Sequence, residues 1–299
     1  MTIYTEIDSN KRRTVTIMIL FIVFISVLAY VFGEASGYGW SWAGIALVVS
    51  GFMSFGSYYF SDKIVLAISQ AKEIKKEDNP QIYNLVENLC IGTGLPLPKI
   101  YLIEDTAPNA FATGRDPQHA VICLTTGIMQ KLDKLELEGV VAHELSHIKN
   151  YDIRLMSIVV ILVGFVVLLS DWFTRMMWWG GGKKRDRSSG SGQAQAIFML
   201  IGILLAILAP IFAQLIKLAL SRQREFLADA SAALITRYPE GLARALEKIS
   251  ADTEPLEAAN KATAHLYIVN PLKDYKGGIN KLFSTHPPAA DRVARLRAM

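Results

Sequence analysis

Residues 133–152 read DKLELEGVVAHELSHIKNYD. Asp133, with Glu136 three positions on, is a capping-box signature, so a helix is predicted to open there. Along it His143 and His147 stand one turn apart with Glu144 beside them. This is the H-E-x-x-H pattern, which aims two imidazoles at one tetrahedral ion. With five histidines in 299 residues, a chance match is expected once in about 250 such chains. The plain alternative is a pair of surface histidines on an amphipathic helix. Charges at both ends of the segment place its histidines near, but outside, any hydrocarbon layer.

Outward from this helix the chain is apolar: 52% of its residues are hydrophobic and 19% charged, too few charges for an ordinary soluble domain. Four apolar runs account for it: Val15–Phe32, Trp40–Phe60, Leu155–Ser170 and Ala196–Ile216. The first carries no charge and, at about 1.5 Å per residue, nearly matches a ~30 Å hydrocarbon core. No A-x-A-like site follows it, so it is expected to be retained as an anchor. The second has Trp40 and Trp42 at one end and Tyr58 and Tyr59 at the other, as for rings at two interfaces. The third is at the lower limit for spanning, and the fourth contains Pro210 and Gln214, which predict a kink and a polar inward face. Gly180–Gln195 between them reads as a flexible, solvated loop.

Lys11, Arg12 and Arg13 before the first run, and Lys63, Lys72, Lys75 and Lys76 after the second, put both of those segments on the cytoplasmic side. Arg175, Lys183, Lys184, Arg185 and Arg187 pull the other way. Either the first hairpin dominates orientation or the second pair is shallow. The basic residues form no extended patch, which argues against nucleic acid as a partner. Cys90 and Cys123 lack paired spacing and are expected to be free and buried.

The expected organisation is a transmembrane hairpin over residues 1–61 and a first part of the catalytic domain over 62–154. A second hydrophobic hairpin follows over 155–220, with a flexible loop at 175–195, and a second part of the domain over 221–299. The fold class is mostly α with a small β-sheet, in a multi-span α-helical membrane protein. Glu73–Asp78 suggests a linker helix, and Asn79-Pro80 opens a helix with Tyr83, Val86, Leu89 and Cys90 on one face. Lys99–Glu104, Ala110–Thr113 and Ala120–Leu124 read as short strands.

A catalytic zinc takes three protein ligands and leaves one position open. Asn150 and Ile153 stand where a metzincin would have its glycine and third histidine, so the third ligand must come from elsewhere. In Ser221–Ala230 (SRQREFLADA), Glu225 and Asp229 are one turn apart. Glu225 is the candidate third ligand. Asp229 is placed to accept a hydrogen bond from the far nitrogen of a ligand histidine. On spacing alone, two solvent-facing carboxylates fit equally well. Glu144 would accept a proton from water acidified by the ion toward a pKa of ~7, then pass it to the leaving amine. His286, in Ser284–Pro288 (STHPP), and Arg292 are candidate donors to the oxyanion, although a Pro-Pro turn and nearby helix explain them as well. Asn109, Ala110, Phe111 and Ala112 could present an edge strand to which a peptide substrate adds, or form an ordinary strand. His119 and His265 read as structural. A membrane adaptor with structural zinc and a metal transporter are the readings from other classes.

HELSH, a hydrophobic hairpin, SRQREFLADA and STHPP, preceded by NAFATG, together resemble the HtpX family of membrane metallopeptidases, relatives of the CAAX prenyl proteases. The resemblance covers nearly the whole chain, in the order of its segments. It implies a gluzincin-like metallopeptidase domain with one Zn2+ per chain on His143, His147 and Glu225. Glu144 is then the catalytic acid and base, and Asp229 supports the ligand histidines. It also implies an endopeptidase in the bacterial cytoplasmic membrane, its catalytic domain facing the cytoplasm, acting on misfolded or damaged membrane proteins under stress.

Overall fold

The structure is a computed structural model that describes residues 3–35, 40–162, 164–165, 222–259, 263–264, 266–269, 271 and 287–299. Most of the second hydrophobic hairpin, the 175–195 loop, His265 and His286 lie outside the described residues.

Helices α1 (Ile3–Ala35) and α2 (Trp40–Ile68) pack side by side. On α1 the buried face is Asn10, Thr14, Ile17 and Phe21, while Val15, Ile19, Val23 and Val27 are about half exposed. On α2 Ser50, Ser54, Ser57 and Ser61 are buried, and Phe52 is 73% exposed. Small hydroxylated residues on the inner face let two helices approach closely. Apolar outer faces of this size suit contact with lipid. Ile7–Tyr30 and Gly44–Ile68 are each long and apolar enough to cross a membrane. Helix α2 kinks at Phe60, with φ −120° and ψ 15°, and continues to Ile68.

The linker helix expected at Glu73–Asp78 is instead strand β1 (Lys72–Ile74) and a turn in which the Lys75 N–H donates to Asp78 Oδ2 at 2.7 Å. The charges that suggested a helical surface are cross-strand partners: Lys72 pairs with Glu104 at 2.8 Å and Lys99 with Glu73 at 3.2 Å. Helix α3 (Pro80–Thr93) starts where the sequence predicts, capped by Asn79 and closed by Gly94 at φ 69°. It buries Ile82, Leu85, Val86, Leu89 and Cys90.

Strands β2 (Lys99–Ile103), β3 (Ala110–Gly114) and β4 (Ala120–Thr125) complete a sheet of order β1-β2-β4-β3. Strands β2 and β4 are parallel, and the outer pairs are antiparallel. β3 is therefore an edge strand of this sheet, and it lies against α5. Cys90 and Cys123 are free and buried; burial pushes the Cys90 thiol up to about 11.

The short helix α4 (Thr126–Lys131) leads to α5 (Lys134–Lys149), which carries the HELSH segment. Its capping box is complete, with Asp133 accepting from the Glu136 N–H and Glu136 from the Asp133 N–H. Residues 152–162 are again helical. Helices α6 (Arg222–Thr236), α7 (Pro239–Ala251) and α8 (Ala289–Arg297) pack around α5 and one another.

Helices α5 and α7 touch at Gly139, where an added Cβ would lie 2.7 Å from the Leu242 nitrogen and 2.9 Å from its Cα. Alanine would gain about 1 kcal/mol of helix propensity there, but overpacking against backbone costs about 1–3 kcal/mol. Packing wins, so Gly139→Ala is expected to lower the Tm of the detergent-solubilised protein. An unchanged or raised Tm would show that α7 can shift freely.

Candidate active site

One turn of α5 separates His143 from His147, and both project to the same side, with side chains that are buried together with Glu144. Helix α6 crosses α5 and supplies Glu225. The two Nε2 atoms are 3.1 Å apart, and each lies 3.7 Å from a carboxylate oxygen of Glu225. One donor atom from each of the three residues falls within 4.8 Å of the others.

Each imidazole is held from behind. His143 Nδ1 is 3.0 Å from Asp229 Oδ1, and His147 Nδ1 is 3.0 Å from Asp152 Oδ2. A carboxylate at Nδ1 fixes a proton there and orients the ring, so that Nε2 faces the other imidazole. Asp229 in turn accepts from Arg292 Nε at 2.8 Å and Nη2 at 2.6 Å. Arg292 Nη1 donates to the Ile268 carbonyl at 3.1 Å and lies 3.6 Å from Glu225. Asp152 is met by Arg224 Nε at 3.2 Å and Asn10 Nδ2 at 2.7 Å.

These surroundings drive the two histidines apart. Burial, reinforced by the Arg292 guanidinium, pushes His143 down to about 4 against the opposing pull of Asp229. Burial acts the same way on His147, but Asp152, Glu225 and Glu144 outweigh it and hold that ring up to about 9. Asp229, despite burial, is kept below the usual carboxylate range by Arg292 and His143.

The donor set fits a divalent metal. Two imidazole nitrogens and a carboxylate converging on one point are the ligand types that a divalent cation such as zinc takes. Tetrahedral zinc with ligands at about 2.0–2.1 Å separates neighbouring donors by roughly the spacings seen here. Among the described residues, Glu144, Asp152, Glu225 and Asp229 are buried around the cluster together with the guanidiniums of Arg224 and Arg292.

Of the other residues singled out by the sequence, Asn109, Ala110, Phe111 and Ala112 are buried on β3 and its approach. Arg292, a candidate oxyanion donor, is committed to Asp229 and stands behind His143. His286 lies outside the described residues. His119 sits on the surface between Asp116 and Arg115. Asp152, Arg224 and Asn10 went unrecognised: Asp152 follows His147 by five positions, past the end of α5, and Asn10 is 142 positions from it.

Removing Arg292 would take from buried Asp229 the guanidinium that holds it by two hydrogen bonds, at a cost of about 3–5 kcal/mol. Arg292→Leu is expected to lower the denaturation midpoint sharply, while Arg297→Leu on the exposed face of α8 has little effect. Equal midpoints for the two variants would contradict this account of the clamp.

Residues 76–299 match the profile of peptidase family M48. The chain is 46% identical over its whole length to a protein named "Protease HtpX homolog" from Dictyoglomus thermophilum, covering 95% of that relative. It is 43% identical to one so named from Tropheryma whipplei, with 99% of this chain and 98% of that one aligned. A relative of the same name from Lactobacillus helveticus is 40% identical, with 99% and 100% aligned. Among solved structures, that of S. mikatae Ste24p superposes with a TM-score of 0.52 at 21% identity, over 98% of this chain and 67% of that one, a likeness of fold. With a two-helix apolar anchor and a buried His-His-Glu cluster behind that match, the chain belongs to peptidase family M48, as a membrane metalloprotease of the HtpX type.

Proposed function

We propose that this metalloprotease is a zinc endopeptidase that hydrolyses misfolded or damaged membrane proteins, as a multi-span protein of the bacterial cytoplasmic membrane with its catalytic domain facing the cytoplasm. The observation that carries the metal assignment is the convergence of His143 Nε2, His147 Nε2 and the Glu225 carboxylate within 4.8 Å. Two nitrogens and one carboxylate leave a fourth tetrahedral position open, as a catalytic rather than a structural zinc requires. Affinity alone does not choose the metal, so zinc rests on this donor set.

When bound, zinc supplies Lewis-acid polarisation of the scissile carbonyl and acidifies the attacking water. The chain's own groups do the rest. Asp229 and Asp152 take the Nδ1 side of each ring, so that Nε2 is the atom aimed inward. Glu144, next to His143 on the same helix, takes the proton from water as the carbonyl is attacked and delivers it to the leaving amine. Its burial keeps that proton from bulk solvent.

The hydrogen-bond register of β3 supports the addition of a peptide strand along it. The Thr125 N–H donates to the Asn109 carbonyl, so Asn109, Phe111 and Thr113 bond inward to β4 while Ala110, Ala112 and Gly114 face away. The Ala110 carbonyl is taken by the Ile268 N–H at 3.0 Å. Ala112 and Gly114 are then the positions at which a substrate backbone adds, a mode that tolerates many sequences. Lys11, Arg12 and Arg13 at the start of α1 support the cytoplasmic orientation by the positive-inside tendency.

In detergent with an unfolded membrane-protein substrate, Glu144→Gln is expected to retain zinc by elemental analysis and lose hydrolysis by at least about a hundredfold, a general acid–base contribution. His143→Ala is expected to lose both, and a chelator to abolish wild-type cleavage until zinc is restored. Undiminished cleavage by Glu144→Gln, or in the presence of chelator, would refute the mechanism.

A further inference from the structure

The turn that ends α5 is strained and is held by the membrane anchor. Tyr151, a non-glycine residue, has φ 60°, a left-handed conformation that costs about 1–2 kcal/mol. That reversal is what lets Asp152, already on the next helix, point back so that Oδ2 meets His147 Nδ1 at 3.0 Å. Asn10 of α1 bridges the strained residue from both sides. Its Nδ2 donates to the Asn150 carbonyl at 2.8 Å and to Asp152 Oδ1 at 2.7 Å. The Asn10 side chain is buried, and Thr14 one turn on bonds to the Asn10 carbonyl. Beside it, Lys11 Nζ lies 4.7 Å from the Tyr151 ring centroid, and the Arg154 guanidinium covers the same ring at 4.9 Å.

We propose that Asn10, on the first membrane helix, is a positioning residue of the metal site, acting through Asp152 to hold His147 in its ligating tautomer and orientation. The anchor is thereby a structural part of the metal centre as well as a tether. Two amide protons fill two acceptors on either side of a strained residue, which no apolar side chain can do. Arg224 reaches the same Asp152 oxygen at 3.2 Å. It neutralises the carboxylate, and Asn10 sets its direction.

The inference rests on the metal-site reading above, and the test separates the two. Zinc affinity of the full-length protein in detergent is measured by competition with a chromogenic chelator for wild type, Asn10→Leu, Asp152→Asn and the double variant. Co2+ substitution provides a ligand-field spectrum of each. Losing a group that orients a ligand histidine costs 10–100-fold in metal affinity. One bond further out, Asn10→Leu is expected to weaken zinc by about tenfold and to shift the Co2+ bands. If Asn10 acts through Asp152, the double variant binds no more weakly than Asp152→Asn alone. Should the leucine variant fail to fold, Asn10→Ser, small and polar but too short to span both acceptors, carries the same expectation. Affinity within twofold of wild type, or losses that multiply in the double variant, overturns the proposal. A wild-type protein that binds neither Zn2+ nor Co2+ overturns the metal reading itself.

Discussion

Two imidazole nitrogens 3.1 Å apart, both 3.7 Å from one carboxylate, form a buried cluster of three metal-ligating groups on which the rest of the site is built. Much of the fold works to keep that cluster from relaxing apart. The helical repeat of α5 sets the separation of the rings, the capping box fixes where the helix begins, and contact without a side chain at Gly139 locks it against α7. α6 crosses at the one turn where Glu225 can reach both rings. The ligand geometry is thus set by the packing of the helices around α5.

The supports behind the two histidines share a plan and differ in source. Each ring leans on an aspartate, and each aspartate on an arginine: His143 on Asp229 and Arg292, His147 on Asp152 and Arg224. The first chain is drawn from helices that pack directly around α5. The second adds Asn10 from α1, so a helix whose far face meets lipid reaches, through its inner face, to within two side chains of a metal ligand. Bilayer and catalytic domain are mechanically continuous at that point.

What could be read from the sequence was whatever depends on neighbours along the chain. The HELSH spacing, the Asp133–Glu136 cap, the Asn79-Pro80 helix start and the β-prone runs are local patterns, and the structure carries each of those elements. Glu225 and Asp229 were visible as a pair one turn apart, though spacing alone could not say that α6 would meet α5. The misreading at Glu73–Asp78 has the same origin: alternating charges satisfy a helix surface or a strand ladder, and only the partners Glu104 and Lys99 decide. Arg292 announced a charge and not its destination. Asp152 and Asn10 had no legible signal, because a positive φ at Tyr151 and a contact 142 positions long are products of tertiary packing.

Arg292 has one more consequence, in the order of synthesis. It follows every other residue of the cluster in the chain, and a growing polypeptide emerges with its N-terminal elements first. Arg292 comes 149 positions after His143, so the guanidinium that holds Asp229 is made later than the helix whose ring that aspartate supports.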